Sequence, residues 1–125
     1  MAVTESIIVN ELPIARAGPY AFNDDNTDAT PATELVAAPG AGKAIYLTSI
    51  TLSDRTVDCA VTIQDEDDTV LFGPIQLQAD GSGLFTKDWK YPLKLVDNKA
   101  LEVLATEGVD FTIYGEYFIG QAPIV

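Results

Sequence analysis

Residues 40–63 read GAGKAIYLTSITLSDRTVDCAVTI. Gly40-Ala41-Gly42-Lys43 is a tight glycine turn, and Ser53-Asp54-Arg55 is a polar one. Residues 56–64, after the second turn, alternate strictly. Val57, Cys59, Val61 and Ile63 point one way; Asp58, Ala60, Thr62 and Gln64 point the other. Period two is the mark of a half-buried strand. Residues 43–52 are rich in β-branched and aromatic side chains, though their alternation is imperfect. The stretch therefore reads as two strands joined by a turn, with nothing catalytic in it, and predicts an all-β domain around it.

Working toward the N-terminus, residues 33–38 form a short strand that ends at the Pro39-Gly40 turn. Residues 20–31, YAFNDDNTDATP, are an Asn/Asp-rich loop. The chain before them holds apolar patches, Ile7, Ile8, Val9, Leu12 and Ile14, that are too short to make a core and are broken by Pro13 and Gly18-Pro19. The expected division is an extended arm and loop over residues 1–31 and a β-sandwich over residues 32–125.

Toward the C-terminus, Asp65-Glu66-Asp67-Asp68 makes a polar hairpin connection, and Gly73-Pro74 kinks or bulges the next strand. Asp80-Gly81-Ser82-Gly83 turns the chain into residues 84–91, where Pro92 ends the run or forces it to a sheet edge. Residues 93–96 and 100–106 follow as strands. Residues 109–119 alternate most clearly. Val109, Phe111, Ile113, Gly115, Tyr117 and Ile119 share one face; Tyr114 and Phe118 lie on the other, which implies that this second face is partly covered by another subunit. Seven or eight strands with no helical segment predict an antiparallel two-sheet β-sandwich of jelly-roll type. An immunoglobulin-like sandwich lacking its Cys pair is the alternative.

Composition narrows the chemistry. The 125 residues suit one domain and include no His, which removes the usual general base and the commonest metal ligand. A single Cys, Cys59, permits no internal disulfide, and its apolar strand setting makes it a small core residue. The net charge of −12 opposes binding to nucleic acid or to an anionic membrane. No apolar run is long enough to span a bilayer, and the N-terminus lacks the basic start of a signal peptide.

Four motifs invite a sharper reading. Gly40-Ala41-Gly42-Lys43 imitates a phosphate loop, but Ala37 stands where the first Gly belongs, Ala44 follows the Lys, and a strand replaces the helix. Asp24, Asn26 and Asp28 imitate a calcium loop, but Ala29 and Leu35 occupy its Gly and Glu positions. Asp65 and Asp67 suit either a hard cation or a solvated hairpin tip. Phe85, Trp89 and Tyr91 suit a sugar-stacking platform, a core cluster or a subunit contact. None of the four makes an enzyme site, and no catalytic residue, metal or cofactor is expected.

Residues 36–54, VAAPGAGKAIYLTSITLSD, and residues 60–83, AVTIQDEDDTVLFGPIQLQADGSG, together carry a resemblance. With Gly42-Lys43, Gly73-Pro74-Ile75, Ala100-Leu101-Glu102-Val103 and the closing FTIYGEY of residues 111–117, they resemble the small jelly-roll decoration (cement) proteins of tailed-phage capsids over residues 33–119. The resemblance implies a homotrimer on the virion surface, made in the host cytoplasm, whose partners are itself and the major capsid protein. The apolar arm patch Ile7, Ile8, Val9, Leu12 and Ile14, which lies outside the resemblance, is the first candidate for a capsid or intersubunit contact, and the second-face aromatics Tyr114 and Phe118 are the candidate trimer interface. A carbohydrate-binding or adhesion module of a phage fibre or tail is the second reading.

Overall fold

The structure, a computed structural model, describes residues 17–27, 31–54, 58–78, 84–106 and 111–122. The described residues form strands β1 (Ala17–Thr27), β2 (Thr33–Val36), β3 (Lys43–Asp54), β4 (Cys59–Asp65), β5 (Val70–Leu77), β6 (Leu84–Lys94), β7 (Leu101–Ala105) and β8 (Phe111–Gln121). No helix occurs among them. One four-stranded sheet has the order β1-β8-β3-β6, and the other β2-β7-β4-β5.

All neighbouring strands run antiparallel, and they nest: β1 pairs with β8, β2 with β7, β3 with β6, and β4 with β5. The chain is one long hairpin, folded at the β4–β5 connection and wrapped into two layers. That nesting is the jelly roll, and it settles the choice against the immunoglobulin-like alternative.

The core lies between the sheets, where alternating side chains meet. Cys59, Val61 and Ile63 enter it from β4, Leu101, Val103 and Ala105 from β7, and Ile113 from β8. The imperfect alternation of β3 has a local cause. Ile45 and Leu47 are buried, and so are Ile50 and Leu52, one position out of phase. Leu47 opposes Tyr117 while Ser49 opposes Glu116, so Thr48 is an extra residue in the ladder. Its hydroxyl donates to the Glu116 carbonyl at 3.0 Å. This bulge resets the phase and keeps apolar side chains on the inner face past it.

A bulge also absorbs Gly73-Pro74 in β5, where Val61 opposes Ile75 and Ile63 opposes Phe72. In β6, Ser49 opposes Asp88 and Leu47 opposes Leu93, so four residues including Pro92 bow out from the ladder opposite Thr48. The two runs expected at residues 84–91 and 93–96 are therefore one strand, and Pro92 lies on a sheet edge as expected.

The loop expected over residues 20–31 is corrected: through Thr27 it is strand, paired with β8 from Ala17 opposite Ile119 to Thr27 opposite Phe111. Asn and Asp disfavour strands, but an edge strand needs only a few apolar side chains on one face. Phe22 supplies the main one, buried against Gly115. The sandwich thus includes residues 17–27, ahead of the boundary expected at residue 32. Residues 1–16 lie outside the described residues.

Candidate functional site

The glycine turn is fully engaged at home. Gly40 and Gly42 adopt φ of 111° and 81°, a region that favours glycine. The Gly40 amide donates to Asn98 Oδ1 at 2.9 Å and the Gly42 amide to Asp97 Oδ1 at 2.6 Å. Amides that would cradle a phosphate instead clasp the turn between β6 and β7, and Asp97 places a carboxylate where an anion would have to bind.

The acidic run is likewise structural. Asp65 is buried, and its Oδ1 accepts from the amides of Asp67 at 2.8 Å and Thr69 at 3.0 Å. Gln64 Nε2 donates to Asp68 Oδ1 at 3.0 Å. Glu66 Oε1 accepts from the Ala100 amide at 2.8 Å, tying the hairpin to the start of β7. Asp67 pairs with Lys99 at 2.8 Å, and that hydrogen bond and charge raise the Lys99 pKa above its ordinary 10.5. Among the described residues no group of three or more His, Cys, Asp or Glu is placed to hold a metal ion. Of the calcium-loop mimic, Asp24 lies in β1 opposite Ile113, and Asp28 lies outside the described residues.

The aromatic trio divides. Phe85 and Trp89 are half-buried and pack on Phe72 of β5, at ring distances of 6.0 and 5.3 Å. These rings close the sandwich seam where the two edge strands β5 and β6 approach. Tyr91 stands 77% exposed in the β6 bulge, with Lys90 Nζ 5.7 Å above its ring. Phe72 was not singled out in the sequence; its parity was hidden by the Gly73-Pro74 bulge. Cys59 is buried, as its strand setting predicted.

The strand alternation sends Tyr114 and Phe118 to the outer face of the first sheet, as the sequence predicts. Tyr114 is 41% exposed and its hydroxyl donates to Glu116 Oε2 at 3.4 Å, while Phe118 is half-buried opposite Tyr46. Around them lie hydroxyl side chains, with Thr51 and Thr86 joined at 3.4 Å. The Tyr46 hydroxyl donates to the Gln121 carbonyl. Tyr117, on the inner face, has its pKa raised above 10.0 by burial and then by the neighbouring Tyr20, whose ring lies 5.5 Å away. The five apolar arm residues Ile7, Ile8, Val9, Leu12 and Ile14 lie outside the described residues.

Charge is unevenly spread. β6 carries Lys87, Lys90 and Lys94, three of the seven basic residues of the chain, against one acid, Asp88. On the outer face of the second sheet Glu34 of β2 stands directly opposite Glu102 of β7. The described ion pair joins Lys99 to Asp67, so neither set meets an opposite charge among the described residues.

No protein-family model matches the sequence. No curated protein matches it either. Among solved structures, a chain of the acid-stable capsid of Helicobacter pylori bacteriophage KHP30 is similar with a TM-score of 0.53 at 13% identity, covering 88% of this chain and 93% of that one. A chain of the cyanophage Pam1 capsid asymmetric unit gives 0.52 at 14% identity, covering 97% of this chain and 99% of that one. The chain shares its jelly-roll fold, nearly end to end, with components of two phage capsids.

Proposed function

We propose that the chain is a virion structural protein, a decoration (cement) protein that binds the assembled phage head as a homotrimer and stabilises it. The observation that supports this most is the length match of the shared fold, 97% of this chain to 99% of a Pam1 capsid chain. Its action is mechanical. A protein that binds the assembled shell and not its separate parts lowers the free energy of the shell alone. No bond is made or broken, and no cofactor takes part.

In this reading the major capsid protein is the partner, and the capsid surface is the location. The outer face bearing Tyr114 and Phe118 packs in the trimer, where exposed aromatics among hydroxyls suit a subunit contact. The apolar arm residues Ile7, Ile8, Val9, Leu12 and Ile14 reach the shell or a neighbouring subunit. The sugar-platform alternative loses support because Phe85 and Trp89 are spent on Phe72 at the seam.

Two measurements test the proposal. Light scattering on the full chain is expected to give the mass of three copies, and a monomer sinks the trimer. Sedimentation with purified heads lacking their own decoration protein is expected to carry the chain down and to raise the melting temperature of the heads. Failure to co-sediment sinks the decoration role.

A further inference from the structure

The two uncompensated charge sets lie at diagonal corners of the sandwich. β6 is an edge of the first sheet, and β2 is the edge of the second sheet on the far side. Like charges directly opposite across a strand pair are destabilising, so Glu34 facing Glu102 costs the isolated chain stability unless a cation arrives from outside. The β6 lysines are the converse, a local positive edge on a chain whose net charge is −12. Leu104, 38% exposed on β7, stands two residues beyond Glu102 on the same face.

We infer that a second copy of this chain docks head to tail on the first, its Glu34–Glu102 pair against the Lys87, Lys90 and Lys94 edge. Charge selects this arrangement. A two-fold contact through β6 would set lysines against lysines, and one through β2 and β7 would set glutamates against glutamates. Only the heterologous contact joins opposite signs. After one such contact one copy keeps its lysine edge free and the other its glutamate pair, and a ring closes when the rotation between copies permits it. The bulge and Pro92 interrupt the β6 edge, so side chains and not a continued hydrogen-bond ladder make the contact. The inference rests on the self-association in the proposed function and adds a charged contact to the aromatic one at Tyr114 and Phe118.

The test is a charge swap read by light scattering and analytical ultracentrifugation of the full chain, with circular dichroism to show that each variant is folded. K90E/K94E and E34K/E102K are each expected to weaken association at least tenfold and to give monomer at concentrations where the parent assembles. The chain carrying all four changes is expected to assemble again, because the changed positions once more face opposite signs. E34Q/E102Q serves where E34K/E102K folds poorly, and is expected to weaken association too. Association unchanged in the single-surface variants, or no recovery in the combined one, overturns the inference. Lysines that only guard the β6 edge against stray strand pairing would give that unchanged result. A monomeric parent that binds heads through its lysines also overturns it and makes the shell their partner. Head binding is scored separately. Intact assembly without head binding sinks the decoration role and leaves this contact standing.

Discussion

Gly115 shows how one missing methyl group sets the first sheet. A Cβ there would stand 2.4 Å from Phe22 Cζ and 2.7 Å from the Ser49 carbonyl oxygen. The Phe22 ring occupies that space and covers the β8 backbone, which is how an edge strand poor in apolar residues holds its place. G115A is expected to destabilise the chain by about 1–3 kcal/mol, the usual cost of overpacking, measured by urea unfolding. F22L in the same chain should recover part of that loss, because the two side chains compete for one volume. Two titrating groups act at the same scale. Tyr117 and Lys99 both hold their protons longer in the folded chain than in the unfolded one. The folded state therefore binds more protons in that window, and stability falls as pH rises through it. Their contribution is expected to be complete below about pH 10 and to fade above it, read as melting temperature against pH. Y117F should remove the tyrosine share. Salt should weaken the share of the exposed Lys99–Asp67 pair.

At the scale of the element, the bulge at Thr48 matters more than any single contact. Deleting Thr48 would turn Ile50 and Leu52, both buried, toward solvent and turn Ser49 and Thr51 inward. Burial of each such aliphatic side chain is worth about 1.5–3 kcal/mol, so the deletion is expected to leave no cooperative unfolding transition. T48A, which keeps the residue count, should fold, with a loss of about 0.5–1.5 kcal/mol for the hydrogen bond to Glu116. The same element shows what was legible in the sequence. The Val61/Ile63 alternation and the Pro39-Gly40 turn announced a strand and a boundary directly. β1 was not legible, because its main core side chain is Phe22 and its partner, β8, lies almost a full chain length away. The engagement of Asp65 and Glu66 was hidden for a related reason. A hairpin tip reads as solvated until the β7 entry it captures is known to lie beside it.

For the whole molecule, the nested pairing makes the outermost strands depend on each other. A variant lacking residues 1–31 would lose β1 and bare Ile113, Gly115 and Tyr117 along the inner face of β8. It is expected to aggregate, whereas a variant lacking residues 1–16 keeps all eight described strands and should unfold cooperatively. Circular dichroism melts of the two variants separate these outcomes. The second variant is therefore the one that isolates the arm in head-binding assays. Sequence alone reached the architecture of the molecule, since strand number and turn spacing implied two packed antiparallel sheets. It did not reach the Glu34–Glu102 pairing, because these two residues, far apart along the chain, come side by side only in the fold.

The outermost pair also has a consequence for load. Ala17 and Ile119 stand opposite each other where β1 begins and β8 nears its end. A pull that separates the two chain ends would open this ladder like a zip, stressing its hydrogen bonds one after another. A pull across the sheet faces would load the whole core between the sheets at once and leave the ladder unstrained. If the arm before Ala17 were the anchor, tension from an expanding shell would peel β1 away at low force. A particle that relies on this fold for strength is better served by loading its faces than its ends, and single-molecule extension from the termini should find it soft.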